Sequence, residues 1–176
     1  MSSKSNLGRI WVMGDQIDTD QIVPSRVLTE SDPQKMASAT FELVIPNFAK
    51  QVQKGDFIVA GKNFGCGSSR EEAVFVLKLL GIRAVIARSF ARIFYRNMIN
   101  LGLMPIICPD LKILSSNSST LGKTGDILFL DFQRNLVVHQ ALNLEFRMEP
   151  IPPTILNILN AGGAIELMKK KAGFTS

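Results

Sequence analysis

A glycine-rich segment of twelve residues, GKNFGCGSSREE at positions 61–72, is the feature that most constrains the fold of this chain. It follows the short apolar run Phe57–Ala60 and leads into a helical pattern of apolar residues over Arg70–Leu80. Its three glycines permit a tight turn and let the backbone approach a ligand closely. The sequence therefore predicts a strand, a tight turn and a helix in immediate succession.

The serines of this segment predict where the helix begins. Ser68 stands three residues before Glu71, which matches the capping box of a helix N-terminus, and Ser69 and Glu72 repeat the pattern one residue later. The free N–H groups of the helix and the guanidinium of Arg70 would then face the turn, an arrangement that favours binding of a carboxylate or phosphate. A plain capped turn is the alternative. The segment lacks the ending of a Walker A loop, and a single histidine gives a Ser–His triad little support.

Short alternating or β-branched runs and longer helical patterns fill the rest of the chain. The other predicted strands are Arg9–Met13, Phe41–Ile45, Ala84–Ala87, Pro105–Cys108, Ile127–Phe132, Leu136–Val138 and Leu142–Phe146. The other predicted helices are Pro33–Ser38, Phe90–Asn100 and Thr154–Lys171, and Leu114–Thr124 is predicted to be an exposed connection. From Arg70 to Cys108 the order is helix, strand, helix, strand, which predicts an α/β core with parallel pairing. The strand-rich flanks indicate a second β layer, and residues 1–176 are predicted to form one domain.

A second polar segment, GDQIDTDQI at 14–22, follows the first predicted strand and contains three aspartates. An EF-hand is excluded, because the segment has no glycine at the sixth loop position and no glutamate at the twelfth. One interpretation is a turn whose aspartates accept hydrogen bonds from the backbone. The other interpretation places one carboxylate beside a cation at the mouth of a site.

A third segment, ARSFARIFYRN, contains the start of a predicted helix, with Ser89 as a good N-cap. Arg88, Arg92 and Arg96 recur every four residues and form one cationic stripe, which in most proteins is only a solvated face. His139 lies in an alternating β segment, so a structural role is favoured for it.

The charge balance is basic: 20 Lys and Arg against 15 Asp and Glu give a net charge of +5 and a pI near 9.4. Such an excess suits nucleic acid, an anionic small molecule or an acidic partner. The positive charge is scattered apart from Lys169–Lys171, and one Trp and one Tyr offer few surfaces for base stacking. A nucleic-acid-binding module is therefore only an alternative function, and no nucleic acid is expected as a partner.

Cysteine content and hydropathy narrow the class of protein further. Cys66 and Cys108 are too few for a disulfide framework, or for holding an iron–sulfur cluster or zinc without another chain. No apolar run approaches the roughly 20 residues that span a bilayer, and the N-terminal MSSKSNLGR has no hydrophobic signal core. The expectation is a cytoplasmic protein that does not bind membranes.

Three stretches together resemble the swivel domain of the aconitase superfamily, and more narrowly the small subunits of two-subunit 3-isopropylmalate dehydratases. They are GDQIDTDQIVP, KNFGCGSSREEA and IARSFARIFYRNMINLGLMPI, in the order and spacing of that family. The resemblance implies an α/β fold of the swivelling three-layer β/β/α type. It also implies a hydro-lyase that is active only with a separate large subunit, which holds a [4Fe–4S] cluster, and no metal on this chain. Self-association of the isolated chain is a further expectation.

The implied reaction interconverts 2-isopropylmalate and 3-isopropylmalate by dehydration and rehydration in leucine biosynthesis. By position, Ser68 matches the base that removes the proton next to a carboxylate, and its alkoxide needs the helix N-terminus and a neighbouring cation. Ser69 and Arg70 match residues that bind a substrate carboxylate, Arg70 in a forked geometry. Asp20 matches a catalytic aspartate that orients an acid–base partner of the large subunit, whose iron would bind the departing hydroxyl as a Lewis acid.

In this family, substrate choice is associated with the loop PSRVLTE at 24–30. Many relatives have a tyrosine where this chain has Val27, and homoaconitase-like relatives often have an arginine where it has Thr29. Leu28 and Thr29 are therefore predicted to be substrate-binding residues that favour a malate-type substrate with an apolar distal group. A dehydratase of the 2,3-dimethylmalate or homoaconitate type is an alternative. A stand-alone protein that binds carboxylate or phosphate is another.

Overall fold

A computed structural model describes residues 6–68 and 70–173, and a seven-stranded mixed sheet organises them. Its strands are β1 Leu7–Val12, β2 Phe57–Ala60, β3 Ala84–Ala87, β4 Met104–Ile107, β8 Ile127–Asp131, β9 Leu136–His139 and β10 Leu144–Arg147. They lie in the order β10-β9-β8-β1-β2-β3-β4. A separate three-stranded antiparallel sheet is formed by β5 Ile113–Ser115, β6 Ser118–Ser119 and β7 Gly122–Lys123.

Helices connect the strands and cover the sheet. They are α1 Thr19–Ile22, α2 Pro33–Ser38, α3 Phe48–Gln51, α4 Glu71–Leu79, α5 Arg92–Leu101, α6 Pro153–Ala161 and α7 Ala164–Lys171, with 3-10 turns at Ser25–Val27 and Gln140–Leu142. Within residues 6–68 and 70–173, no helix has both the length and the apolar character needed to cross a membrane.

The strands β1 to β4 pair in parallel. The pairing of β3 with β4 confirms the parallel pairing predicted over residues 70–108, and the structure extends it to β1 and β2. Phe57 lies beside Ile10 on one side and Ala84 on the other, and Ala84 in turn lies beside Met104. The helices α4 and α5 form the crossovers that parallel neighbours require. The strands β8, β9 and β10 extend the other end of the sheet in antiparallel pairing.

Alternation of side chains along the parallel strands divides the interior into two apolar cores. Trp11 and Ile58 belong to the first core, together with buried residues of α4 and α5. Their neighbours Ile10 and Val59 belong to the second core, together with buried residues of β8, β9 and α6. The helices α4 and α5 therefore cover one face of the sheet, and its other face packs with the antiparallel strands and α6.

The predicted strand Phe41–Ile45 is wrong, because this segment forms turns. Phe41 has a φ of +54°, a left-handed conformation that cannot continue an extended strand. The N–H groups of Val44 and Ile45 both donate to the Phe41 carbonyl, at 2.9 and 2.8 Å. The ring of Phe41 is fully buried and meets Phe48 edge-on at 5.0 Å. Local hydrogen bonds thus replace the predicted strand pairing in this segment.

The prediction of one helix over Thr154–Lys171 is wrong, because two glycines divide this segment into α6 and α7. Gly162 has a φ of +94° and ends α6 as its C-cap, and Gly163, with a φ of +127°, precedes α7. Residues with positive φ cannot continue a right-handed helix.

The predicted exposed connection over Leu114–Thr124 also contains structure, since it includes β6 and β7 with the buried residues Ser119 and Leu121.

Two polar residues outside the parallel strands have structural contacts. His139 lies buried in β9, where its Nδ1 accepts from the N–H of Leu142 at 3.3 Å and its Nε2 lies 3.2 Å from Asp126. This placement agrees with the structural role expected for it. Ser89 does not cap α5, because the N-cap is Ala91, and the Ser89 hydroxyl instead accepts from the N–H of Asn63 at 2.9 Å.

Candidate active site

Three loops meet at one edge of the sheet, because each of them follows the carboxyl end of one of the neighbouring parallel strands β1, β2 and β3. Ligands of parallel sheets bind outside these ends. The N–H of Gly61 donates to the Gly14 carbonyl at 3.1 Å, which joins the first loop to the second. The N–H of Phe64 donates to the Ser89 carbonyl at 3.0 Å, which joins the second loop to the third. The three segments singled out in the sequence are therefore adjacent in space.

Two of the three aspartates in the first loop bind backbone groups. Asp15 accepts from the N–H of Lys62 at 2.7 Å, and Asp18 accepts from the N–H of Asp20 at 2.7 Å. Gln21 accepts from the N–H of Asp18 at 2.8 Å, which forms a capping box for α1. Asp15 and Asp18 thus agree with the interpretation of a turn whose aspartates accept backbone hydrogen bonds. Asp20 agrees with the interpretation that places one carboxylate beside a cation.

The carboxylate of Asp20 forms an ion pair with the guanidinium of Arg70, the N-cap residue of α4. The hydroxyl of Ser25 donates to the same Asp20 oxygen at 2.6 Å. The hydrogen bond from Ser25, followed by the one from Arg70, lowers the pKa of the Asp20 carboxyl. Asp20 is therefore ionised at neutral pH and holds Arg70 beside the turn.

Ser68 is exposed and lies two residues before the N-cap of α4. Its Oγ lies 3.3 Å from the hydroxyl oxygen of Thr19, and its carbonyl accepts from the same hydroxyl at 3.2 Å. The predicted capping box with Glu71 is not formed, because Arg70 is the N-cap and its side chain does not cap the helix. The hydroxyl of Ser68 is therefore not used by the helix. Ser69, the second predicted serine, lies outside the described residues.

Two glycines make this turn possible. Gly65 and Gly67 have φ values of +76° and +87°, which residues with a Cβ rarely adopt. A Cβ at Gly67 would collide with the carboxylate of Asp18, and one at Gly65 would collide with the ring of Phe94. The turn can therefore pack directly against the first loop and against α5.

An open cleft of about 180 Å³ lies between this turn and the first turns of α5. Its lining residues are Gly65, Gly67, Ser68, Arg70, Ala91, Arg92, Ile93, Phe94 and Asn97. The structure thus brings the predicted residues Ser68 and Arg70 into one cleft, with Asp20 bound to Arg70. The sequence analysis did not assign Arg92 or Asn97 to this cleft. The four-residue spacing of arginines was the only signal for Arg92, and Asn97 had none.

Leu28 and Thr29 lie in the segment that carries Ser25, but they do not line the cleft. Leu28 is half-buried against the first core, and Thr29 is exposed. Because Ser25 binds Asp20, this segment is fixed beside the Asp20–Arg70 pair. The substrate-binding role of Leu28 and Thr29 stays a prediction.

The described residues contain no group of three or more His, Cys, Asp or Glu side chains placed to hold a metal ion. Cys108 is buried, and burial raises the pKa of its thiol to about 11. Burial, followed by the charge of Asp18, also raises the pKa of the Cys66 thiol, whose Sγ lies 3.4 Å from the carbonyl oxygen of Gln16. An iron–sulfur cluster is held by several Cys thiolates, and Cys66 and Cys108 are the two cysteines of the sequence, so they do not fit such a cluster by themselves.

A family model described as the aconitase C-terminal domain matches residues 13–111, which include all three loops and the cleft. The chain belongs to the aconitase C-terminal domain family. This membership confirms the predicted α/β fold of the swivelling β/β/α type.

Named relatives in the aconitase C-terminal domain family extend over most of the chain. The 3-isopropylmalate dehydratase small subunit 1 of Methanopyrus kandleri is 46% identical and covers 93% of this chain and 92% of its own. The methanogen homoaconitase small subunit of Methanocaldococcus jannaschii is 45% identical and covers 93% and 91%. A crystal structure described as 3-isopropylmalate dehydratase from Methanocaldococcus jannaschii is 43% identical, with a TM-score of 0.82 over 95% of both chains.

Proposed function

We propose that this chain is the small subunit of a hydro-lyase that isomerises 2-isopropylmalate and 3-isopropylmalate by dehydration and rehydration, a step of leucine biosynthesis. The observation that carries the proposal is the open cleft in which Ser68 and Arg70 meet, on a chain whose relatives with 3-isopropylmalate dehydratase names are 41–46% identical over 93% of its length. A serine hydroxyl and a guanidinium in one cleft suit proton abstraction next to a carboxylate.

Arg70 and Asp20 would provide the carboxylate-binding part of this site. A guanidinium presents several N–H donors in one plane and can bind a carboxylate through two parallel hydrogen bonds. Asp20 takes one edge of Arg70, while Ser25 holds Asp20 in place. In the proposed enzyme, Asp20 therefore positions Arg70 for the substrate, and Ser69, by the family resemblance, would also bind the substrate carboxylate.

Ser68 would act as the base that removes the proton next to that carboxylate. A serine hydroxyl is a weak base, so its alkoxide must be stabilised by nearby positive charge. Arg70 lines the same cleft, and its side chain leaves the N-terminus of α4 uncapped, so the partial positive charge of this helix end lies close to the turn. The Thr19 hydroxyl, 3.3 Å from the Ser68 Oγ, is placed to donate a hydrogen bond to the alkoxide.

A second chain would complete this active site. A cleft of about 180 Å³ is smaller than the roughly 300–1,000 Å³ of sites that enclose a small ligand. The names of the relatives as small subunits support a large subunit as the partner, and a [4Fe–4S] cluster on that subunit would supply the Lewis acid for the hydroxyl. We further propose that residues 1–176 form a single swivel domain and that the complex works in the cytoplasm.

A homoaconitase-type substrate is the second candidate, because one relative 45% identical to this chain is named a homoaconitase small subunit. Such a substrate carries an additional carboxylate, which requires an additional cation in the site. Thr29 is uncharged, and Leu28 is apolar and half-buried. These two residues favour the isopropyl group over a third carboxylate, if the segment contacts the substrate as proposed.

The variant Ser68→Ala tests the assignment of the base. Reconstitution with a large subunit under anaerobic conditions is expected to give normal assembly and a kcat lowered by about 100-fold or more, the usual contribution of a general base. Ser116→Ala removes an exposed serine from the loop between β5 and β6 and serves as the matched control. A reconstituted Ser68→Ala enzyme with near-normal kcat would contradict the proposal for Ser68.

A further inference from the structure

The far wall of the cleft is formed by the first two turns of α5. Arg92 and Asn97 line it opposite the glycine-rich turn, which provides Ser68 and Arg70. The N-cap residue Ala91 has no side chain to bind the free N–H groups of this ten-residue helix. The cleft therefore has polar hydrogen-bond donors on both of its walls.

The guanidinium of Arg92 is not engaged by a carboxylate. Among the described residues, no Asp or Glu lies within ion-pair distance of Arg92 or Arg96, whereas Arg70 is paired with Asp20. Arg92 is exposed and Asn97 is half-buried. The cleft therefore contains the paired guanidinium of Arg70 and the unpaired guanidinium of Arg92. The guanidinium of Arg92 is available to bind one more anionic group.

We propose that Arg92 and Asn97 form a second carboxylate subsite, which binds the carboxylate of a dicarboxylate substrate that Arg70 does not bind. This inference rests on the proposed function, because a malate derivative has two carboxylates and the turn provides one guanidinium. Arg92 supplies charge and a forked donor geometry, and the Asn97 amide supplies an uncharged N–H donor. The partial positive charge at the start of α5 favours an anion at the same place.

The neighbouring turn of α5 offers a matched control. Arg96 is also an exposed, unpaired arginine, and it lies one turn after Arg92 on the same helix. Arg96 lines an open groove together with Arg92 and Ile93, but it does not line the cleft. A subsite in the cleft requires only Arg92, whereas a face that docks a partner through this groove requires both arginines.

The test compares Arg92→Met and Arg96→Met in the enzyme reconstituted with its large subunit. For each variant, KM and kcat for isopropylmalate are measured, together with the large-subunit concentration that gives half-maximal activity. Arg92→Met is expected to raise KM by roughly 10- to 100-fold, the effect of losing a charge-assisted hydrogen bond. Arg92→Lys is expected to restore part of the loss, and Arg96→Met to leave KM unchanged. Half-maximal assembly is expected at the same concentration for all variants.

The outcomes separate this inference from the function on which it rests. An active wild-type complex whose KM is unchanged by Arg92→Met would overturn the second subsite and leave the proposed function intact. If Arg92→Met and Arg96→Met weaken assembly equally, the groove is a docking face, and the subsite is also overturned. A wild-type complex that acts on no malate derivative would overturn the proposed function, and the subsite with it.

Discussion

Replacement of Arg70 by lysine separates the shape of the cation from its charge. Arg70 binds Asp20 through one edge of its guanidinium, which leaves other N–H groups for a substrate carboxylate. The ammonium of lysine presents its three donors from a single nitrogen, so it cannot bind Asp20 and also hold a carboxylate at two points. Losing one hydrogen bond between charged groups costs about 1.5–3 kcal/mol. We therefore expect Arg70→Lys to raise KM by roughly 10- to 100-fold, with a smaller change in kcat.

Steady-state kinetics of the reconstituted enzyme with 2-isopropylmalate would measure this effect, with subunit assembly measured in parallel. Arg134→Lys is the control, because Arg134, in the turn between β8 and β9, binds Glu145 of β10 through two hydrogen bonds of 2.9 Å and does not line the cleft. An Arg70→Lys enzyme that assembles normally and keeps its KM would refute carboxylate binding by Arg70. A large change in KM for Arg134→Lys would show that the effect is not specific to the cleft.

Two further predictions address the substrate segment and the buried thiol. Thr29→Arg is expected to raise kcat/KM for homoaconitate relative to that for isopropylmalate, because it adds a cation to the segment fixed by Ser25. An unchanged ratio of the two kcat/KM values would show that Thr29 does not select the substrate. The Cys108 thiol, with its pKa raised to about 11 from an ordinary value of 9.0, contributes stability that is fully present below pH 9 and lost as the pH rises through 11. The free energy of unfolding of the wild type should therefore fall by about 2 kcal/mol more between pH 9 and 11 than that of Cys108→Ala, as measured by denaturant unfolding. Equal losses in the wild type and in Cys108→Ala would contradict this origin.

The location of the site could be predicted from the sequence because it depends on strand order. Each polar segment follows an apolar run that was recognisable as a strand: Trp11 and Val12 before the first, Val59 and Ala60 before the second. Parallel neighbours end at the same edge of the sheet, so loops after consecutive parallel strands must meet there. Element order predicted parallel pairing for β3 and β4 only, and the parallel pairing of β1 with β2 and of β2 with β3 in the structure completes the convergence.

Side-chain partners within the site could not be predicted in the same way. Local sequence patterns do not decide which of the three aspartates pairs with Arg70, and only the family resemblance singled out Asp20. In the structure, Asp15 and Asp18 accept from backbone N–H groups, and Asp20 pairs with Arg70. The N-cap of α4 is Arg70, so the capping box of Ser68 and Glu71 predicted the wrong start for this helix, and the other predicted box contains Ser69, which lies outside the described residues. These choices depend on tertiary contacts, which local patterns do not contain.

The charges around the cleft explain why one chain is not enough for the proposed reaction. Two guanidiniums, those of Arg70 and Arg92, line the cleft, and the carboxylate of Asp20 is bound to one of them. These three groups together leave a single positive charge, whereas a malate derivative carries two negative charges. Binding a dianion in an open cleft with only half of its charge balanced is unfavourable compared with leaving it in water. A partner chain that supplies further positive charge would both close the cleft and balance the substrate, so substrate binding and subunit association would each favour the other.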